Sequence, residues 1–210
     1  MSELLSTPTH PSKSDRQNEL APFLATSAVV DCDNPAVLAL ATEVRRRTEV
    51  ETARAAYEVV RDRYPHSCDI DATEVSVSAS DVLRHGHGIC FAKAHLLAAV
   101  LRASGIPAGF CYHRLLLDDA DPGRTCLHGF NAVWLTEIGL WVRLDARGNK
   151  PGIEAQFGLS CERLAYAVRP ELGECDYPEI YAEPVTCVIE ALTGSRSIAK
   201  LKGKLPSRLI

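Results

Sequence analysis

The stretch from Cys90 to Ser104 constrains this chain more than any other, because it reads as a helix that is apolar nearly all round. Ala92, Ala94, Leu96, Leu97, Ala98, Ala99 and Leu101 are strong helix formers, and Gly105 with Pro107 closes the run. A helix with no polar face is stable in water only when neighbours cover it, so the segment predicts a buried central helix with the core assembled around it. His85-Gly86-His87-Gly88-Ile89 precedes it and breaks regular structure.

The flanking segments have different periods. Asn34-Pro35 marks a helix start and predicts a helix over about 35–46. Thr48 with Glu51 forms a capping box for a second helix, with an apolar stripe of Val50, Ala53, Tyr57, Val60 and Tyr64, ended by Pro65. Residues 66–79 read as loop with a short strand near Val75 and Val77, and Ser80 to Arg84 as one helical turn. Strands are predicted at Phe110–Leu117, His128–Leu135 and Leu140–Asp145, then helices from Ser160 to Val168 and from about Pro184 to Leu192. Helices precede strands without alternating, which gives an α+β class with an antiparallel sheet. The expected organisation is an arm over 1–20, disordered or loosely draped, then one domain over 21–193 with its core at about 50–150. A basic, solvated tail over 194–210 follows.

At 46% hydrophobic and 24% charged, the composition is that of a globular domain and excludes collagen-like or wholly disordered chains. A net charge of −4 gives no reason to expect nucleic acid or a membrane surface as partner. The first twenty residues carry no apolar signal-like run, so a cytoplasmic location is the expectation. In that compartment the eight cysteines, with no CxxC pair among them, should be mostly free thiols.

One of those thiols is placed for chemistry. Cys90 stands where the glycine-rich run enters the central helix, so its sulfur meets the free N–H groups and the positive end of the helix dipole. The same groups can hold an oxyanion during attack on a carbonyl. His128 starts a strand and is a candidate base, and Asp145 ends the next strand and can orient it. With Thr136–Gly139 as a four-residue hairpin loop, Leu135 pairs with Leu140 and Asp145 falls opposite Phe130, diagonal to His128 on one face. A register shift of one residue would separate the two.

The runs Gly88-Ile89-Cys90-Phe91-Ala92-Lys93-Ala94 and Leu101-Arg102-Ala103-Ser104-Gly105-Ile106-Pro107-Ala108 resemble the core of the transglutaminase-like superfamily. So do His128-Gly129-Phe130-Asn131-Ala132-Val133-Trp134 and Trp141-Val142-Arg143-Leu144-Asp145. The resemblance covers roughly residues 50–150. It implies a papain-like fold with a buried helix packed on an antiparallel sheet, Cys90 as nucleophile, His128 as base and Asp145 as orienting acid. Relatives complete the oxyanion hole with an aromatic or polar side chain upstream, where this chain offers Arg84, His85 and His87.

Read singly, these residues have plainer explanations: a small core thiol, a strand histidine, a turn aspartate. Their conjunction favours a triad. His85, His87, Gly88 and Trp141 are candidates for the substrate cleft, with core packing the plainer role for Trp141. His85, His87, Cys90, Cys111, His113, Cys126 and His128 include zinc-type ligands, but at no metal spacing, so neither metal nor cofactor is expected. His95 is expected as a hydrogen-bonded core residue. The expected activity is that of a cysteine protease, peptidase or amidase acting on a peptide or amide-containing small molecule. The alternatives are another acyltransferase with the same triad, such as an arylamine N-acetyltransferase, and a non-catalytic binding module.

Overall fold

The computed structural model describes residues 13–119, 121 and 123–209. Most of the expected arm, residues 1–12, therefore lies outside the described residues; its end forms helix α1 (Lys13–Leu20). Helix α2 (Pro35–Val44) starts on Asn34, whose side chain accepts from the Ala36 N–H. Helix α3 (Glu49–Arg63) opens on the Thr48–Glu51 capping box, with both of its hydrogen bonds formed, and ends before Pro65. Helix α4 (Ala79–His85) has a second box, Ser78 with Asp81, and stops at Gly86, whose φ of +77° costs a glycine little.

Helix α5 (Cys90–Ala103) is the centre of the molecule, with Phe91 through Arg102 all buried. Burying Leu96, Leu97 and Leu101 completely contributes about 2 kcal/mol each. Helices α2, α3 and α4 cover one side, and the sheet covers the other. At its C-terminal end Arg102 is buried and donates to the carbonyls of Ala108, Ala25 and Ala182, which fastens the helix to the start of the first strand and to two loops.

The sheet consists of β1 (Ala108–Leu116), β2 (Thr125–Leu135), β3 (Leu140–Leu144) and β4 (Cys175–Asp176), ordered β3-β2-β1-β4 and antiparallel throughout. Leu135 pairs with Leu140 and Asn131 with Leu144, the register that the hairpin loop predicts. Gly129 on β2 permits a very close approach to α5, since a Cβ there would lie 2.6 Å from the Phe91 ring. That approach brings the strand carrying His128 against the start of α5. Two residues on, from the same face of β2, the Asn131 amide donates to the carbonyls of Ala94 and Gly109 and ties helix to sheet.

Two segments depart from expectation. Residues 160–168 form no helix: the backbone is irregular, with an isolated bridge between Gln156 and Arg163. The stretch is held instead by longer-range contacts, among them the Ala165 N–H donating to Asp145. The 194–210 tail is not a solvated tether. After α6 (Thr186–Thr193) it forms α7 (Ile198–Lys202), buries Ile198 and Leu201, and places the Pro206 carbonyl 2.7 Å from the Leu127 N–H. β3 pairs only with residues 131–135 of β2, so the chain end joins the part of that edge which β3 leaves unpaired. No strand forms near Val75 and Val77.

Candidate active site

Cys90 is the first residue of α5, and its N-cap, Ile89, supplies no side-chain hydrogen bond. The first N–H groups of a fourteen-residue helix therefore point at the half-buried sulfur with the positive end of the dipole behind them. His128 is buried on β2, with Nε2 2.7 Å from Oδ2 of Asp145. Cys90 lines the same cavity as this imidazole, and its sulfur acts on the charge of the ring. With Nε2 taken by the carboxylate, Nδ1 is the ring nitrogen left for another partner. Asp145 follows directly after β3 and is itself fixed: Oδ2 also accepts from the Ala165 N–H at 2.9 Å, and Oδ1 accepts from the Arg147 N–H at 3.1 Å.

Burial opposes a charge on His128, but the Asp145 carboxylate, its hydrogen bond and the Cys90 sulfur outweigh it and raise the imidazole to about 10. Burial likewise opposes a charge on Asp145, yet His128 and the two backbone donors hold its carboxyl below the usual carboxylate range. Below about pH 6.5 the imidazole is protonated in folded and unfolded chains alike, and the pair stabilises fully. Between 6.5 and about 10 the unfolded chain releases that proton while the folded one keeps it, so the contribution shrinks as pH rises. The Asp145 contribution is present above its unfolded value of about 4 and is lost on acidification. Chemical denaturation of wild type and His128→Gln should therefore show the widest stability gap near pH 6, narrowing steadily toward pH 10. A gap independent of pH would contradict the ion pair.

The profile of the transglutaminase-like superfamily matches residues 38–146, just over half the chain, and spans all three of these side chains. The chain belongs to that superfamily. No curated protein matches it. Among solved structures it is similar to a candidate cysteine protease from Cytophaga hutchinsonii, at 21% identity and a TM-score of 0.49, over 61% of this chain and 42% of that one. It is also similar to the periplasmic domain of TgpA from Pseudomonas aeruginosa, at 22% identity and a TM-score of 0.46, over 62% and 47% of the two chains. The chain thus spans less than half the length of either structure.

In this transglutaminase-like domain Cys90 and His128 open onto a cavity of about 790 Å³. Its walls differ from the expected ones. His85 and His87 do not line it: Gly86 turns the chain between them, and their Nδ1 atoms bond Ser76 Oγ at 3.0 Å and Ser67 Oγ at 2.9 Å. Gly88 lies beneath the wall, where a Cβ would press on Val82 at 3.1 Å and Ala92 at 3.2 Å, so the glycine serves helix packing. Trp141 faces another hollow with Phe23 and Trp134, its ring 4.9 Å from Phe23. Arg84 is exposed and paired with Asp81.

The upstream residue that does reach the cavity is His66, which sequence reading passed over. It follows Pro65 at the end of α3 and bridges to Gly88, one turn of chain before Cys90. Its Nδ1 accepts from the Cys68 N–H at 3.3 Å, which leaves the ring proton on Nε2. Burial and the Arg147 charge push its pKa down to about 3, so the ring is neutral at pH 7. Behind it, the buried Lys93 ammonium donates to the carbonyls of Arg61 and Tyr64, locking the end of α3 against α5. Tyr166 packs edge-on against His128 with ring centres 4.9 Å apart, and Arg147 Nε holds its hydroxyl at 3.0 Å. Cys68 and Cys126 also line this cavity. His95 is a core residue, its Nδ1 2.7 Å from the Val77 carbonyl. Among the described residues no cluster of His, Cys, Asp and Glu is arranged to hold a metal ion, and no helix is long and apolar enough to cross a membrane.

Proposed function

We propose that this protein hydrolyses an amide bond, in a peptide or a small molecule, through a thioester on Cys90. The observation that carries the reading is the Asp145–His128 bond at 2.7 Å, with Cys90 lining the same cavity as that imidazole at the head of a buried helix. In the resting site His128 carries a proton beside the Cys90 sulfur. The thiolate attacks the carbonyl carbon, and the C=O electron pair moves onto oxygen. In this reading the N–H groups at the start of α5 and the Nε2–H of His66 receive that oxyanion.

Collapse of the adduct breaks the C–N bond, and the leaving amine takes the proton from His128. Water then gives a proton to the imidazole and attacks the thioester, releasing a carboxylic acid and restoring Cys90. Asp145 keeps Nδ1 of His128 directed at the sulfur throughout. The same reading puts the protein in a reducing compartment, the cytoplasm, which eight free cysteines support.

Short acyl p-nitrophenyl esters test this reading directly. The expected result is a burst of nitrophenol equal to the enzyme concentration, an acyl adduct mapped to Cys90, and slow release of the free acid. Absence of a burst would support the non-catalytic module instead. Acyl transfer to an added amine in preference to water would make the protein a transferase.

A further inference from the structure

We infer that the site selects substrates carrying a carboxylate a short apolar distance from the amide, with Lys202 reading that carboxylate and Arg124 assisting farther out. The inference rests on Cys90 being the nucleophile and adds the chemistry of the substrate. Four arginine and lysine side chains line the cavity: Arg124, Arg147, Arg169 and Lys202. Two of them are already neutralised. Arg147 is clamped on Asp69, with Nη2 to Oδ1 at 3.0 Å, and Arg169 meets Asp119 and Glu174 at 2.7 Å each. Arg124 and Lys202 form no ion pair among the described residues, so the cavity keeps an excess of positive charge at its mouth.

Lys202 is held on a fixed platform. Helix α7 is capped by Ser197, the Ile198 N–H donates to the Thr73 carbonyl at 3.0 Å, and Leu201 is buried in the core. The Lys202 charge reaches inward: it acts on the Cys68 thiol, which lines the same cavity as Cys90. Along the walls lie Ile89, Leu127, Leu201 and Leu205, all apolar. A ligand filling this space meets an apolar wall next to Cys90 and unmatched ammonium and guanidinium groups beyond it. A carboxylate satisfies them at the cost of partial desolvation, and a neutral amide does not.

Bromoacetyl-leucine and bromoacetyl-leucinamide test this on the full-length chain. Both deliver the same carbon to Cys90, whose sulfur displaces bromide, and they differ only in a carboxylate beyond an apolar side chain. The ratio of the two alkylation rates is read, so any change in the reactivity of Cys90 itself cancels. Wild type should prefer the carboxylate about tenfold at low salt, with the preference falling as salt rises. Lys202→Gln should bring the ratio close to unity, Lys202→Arg should keep it, and Arg124→Gln should lower it less. A wild-type ratio at or below unity, or a ratio unchanged in Lys202→Gln, overturns the inference while leaving the nucleophile in place. Labelling of Cys90 by the neutral probe no faster than that of the other seven thiols would instead remove the nucleophile, and this inference with it.

Discussion

His128→Ala should lower kcat/KM for amide hydrolysis by roughly 10⁴-fold, the largest functional effect expected from any single change outside Cys90. In the proposed mechanism the imidazole holds a proton beside the sulfur and must deliver it to a poor leaving group. Neither role has a substitute in the cavity. His66 is neutral, and its Nδ1 is occupied by the Cys68 N–H. Removing the imidazole also leaves Asp145 buried without its partner, which costs about 3–5 kcal/mol of stability. Thermal melts recorded alongside activity separate the two losses, and rates should be compared well below the variant's midpoint. A His128→Ala variant within tenfold of wild type would rule out the imidazole as the proton carrier.

Asp145→Asn should be nearly as damaging, and for a reason legible in its hydrogen bonds. Oδ2 accepts from both His128 and the Ala165 N–H, and Oδ1 accepts from the Arg147 N–H, so every neighbour of this carboxylate is a donor. An amide placed here must turn its NH₂ toward at least one of them, whichever way it flips. With the carbonyl at Oδ2, the Arg147 N–H loses its acceptor; with the NH₂ there, His128 and Ala165 both do. The expected cost is about 2–4 kcal/mol of stability, seen as a midpoint lowered by roughly 5–15 °C. Activity should fall by about 10³-fold or more, because the imidazole is no longer held in the orientation that serves the sulfur. Wild-type stability in Asp145→Asn would mean that the carboxylate is not the acceptor of these bonds.

What could be read from the sequence was what depends on neighbouring residues. The Thr48–Glu51 box, the Asn34 cap and the stop at Pro65 are local chemistry, and the structure forms each of them. The hairpin register follows from loop length and the alternation of faces, and it puts Asp145 beside His128 from numbering alone. Proximity in sequence misled at the cleft. His85 and His87 flank Cys90 in the chain, but the left-handed Gly86 turns them onto Ser76 and Ser67. His66 and Lys202 reach the cavity from 24 residues before and 112 residues after Cys90. No local pattern marks either one. The tail looked solvated because it carries five basic residues and no acid, yet Ile198 and Leu201 are buried and anchor it.

The competing thiols make the decisive measurement clean. Burial pushes Cys126 up to about 11 and Cys111 up to about 12, so both stay protonated near neutral pH. Cys68 is raised as well, chiefly by burial. The measurement is residue-resolved alkylation by iodoacetamide at pH 6–7, in wild type and His128→Ala. Modification of Cys90 at least about a hundredfold faster than the other seven thiols, with that advantage gone in His128→Ala, is the result expected of a thiolate held by an imidazolium. Cys90 reacting no faster than its neighbours, or equally fast without His128, would contradict it.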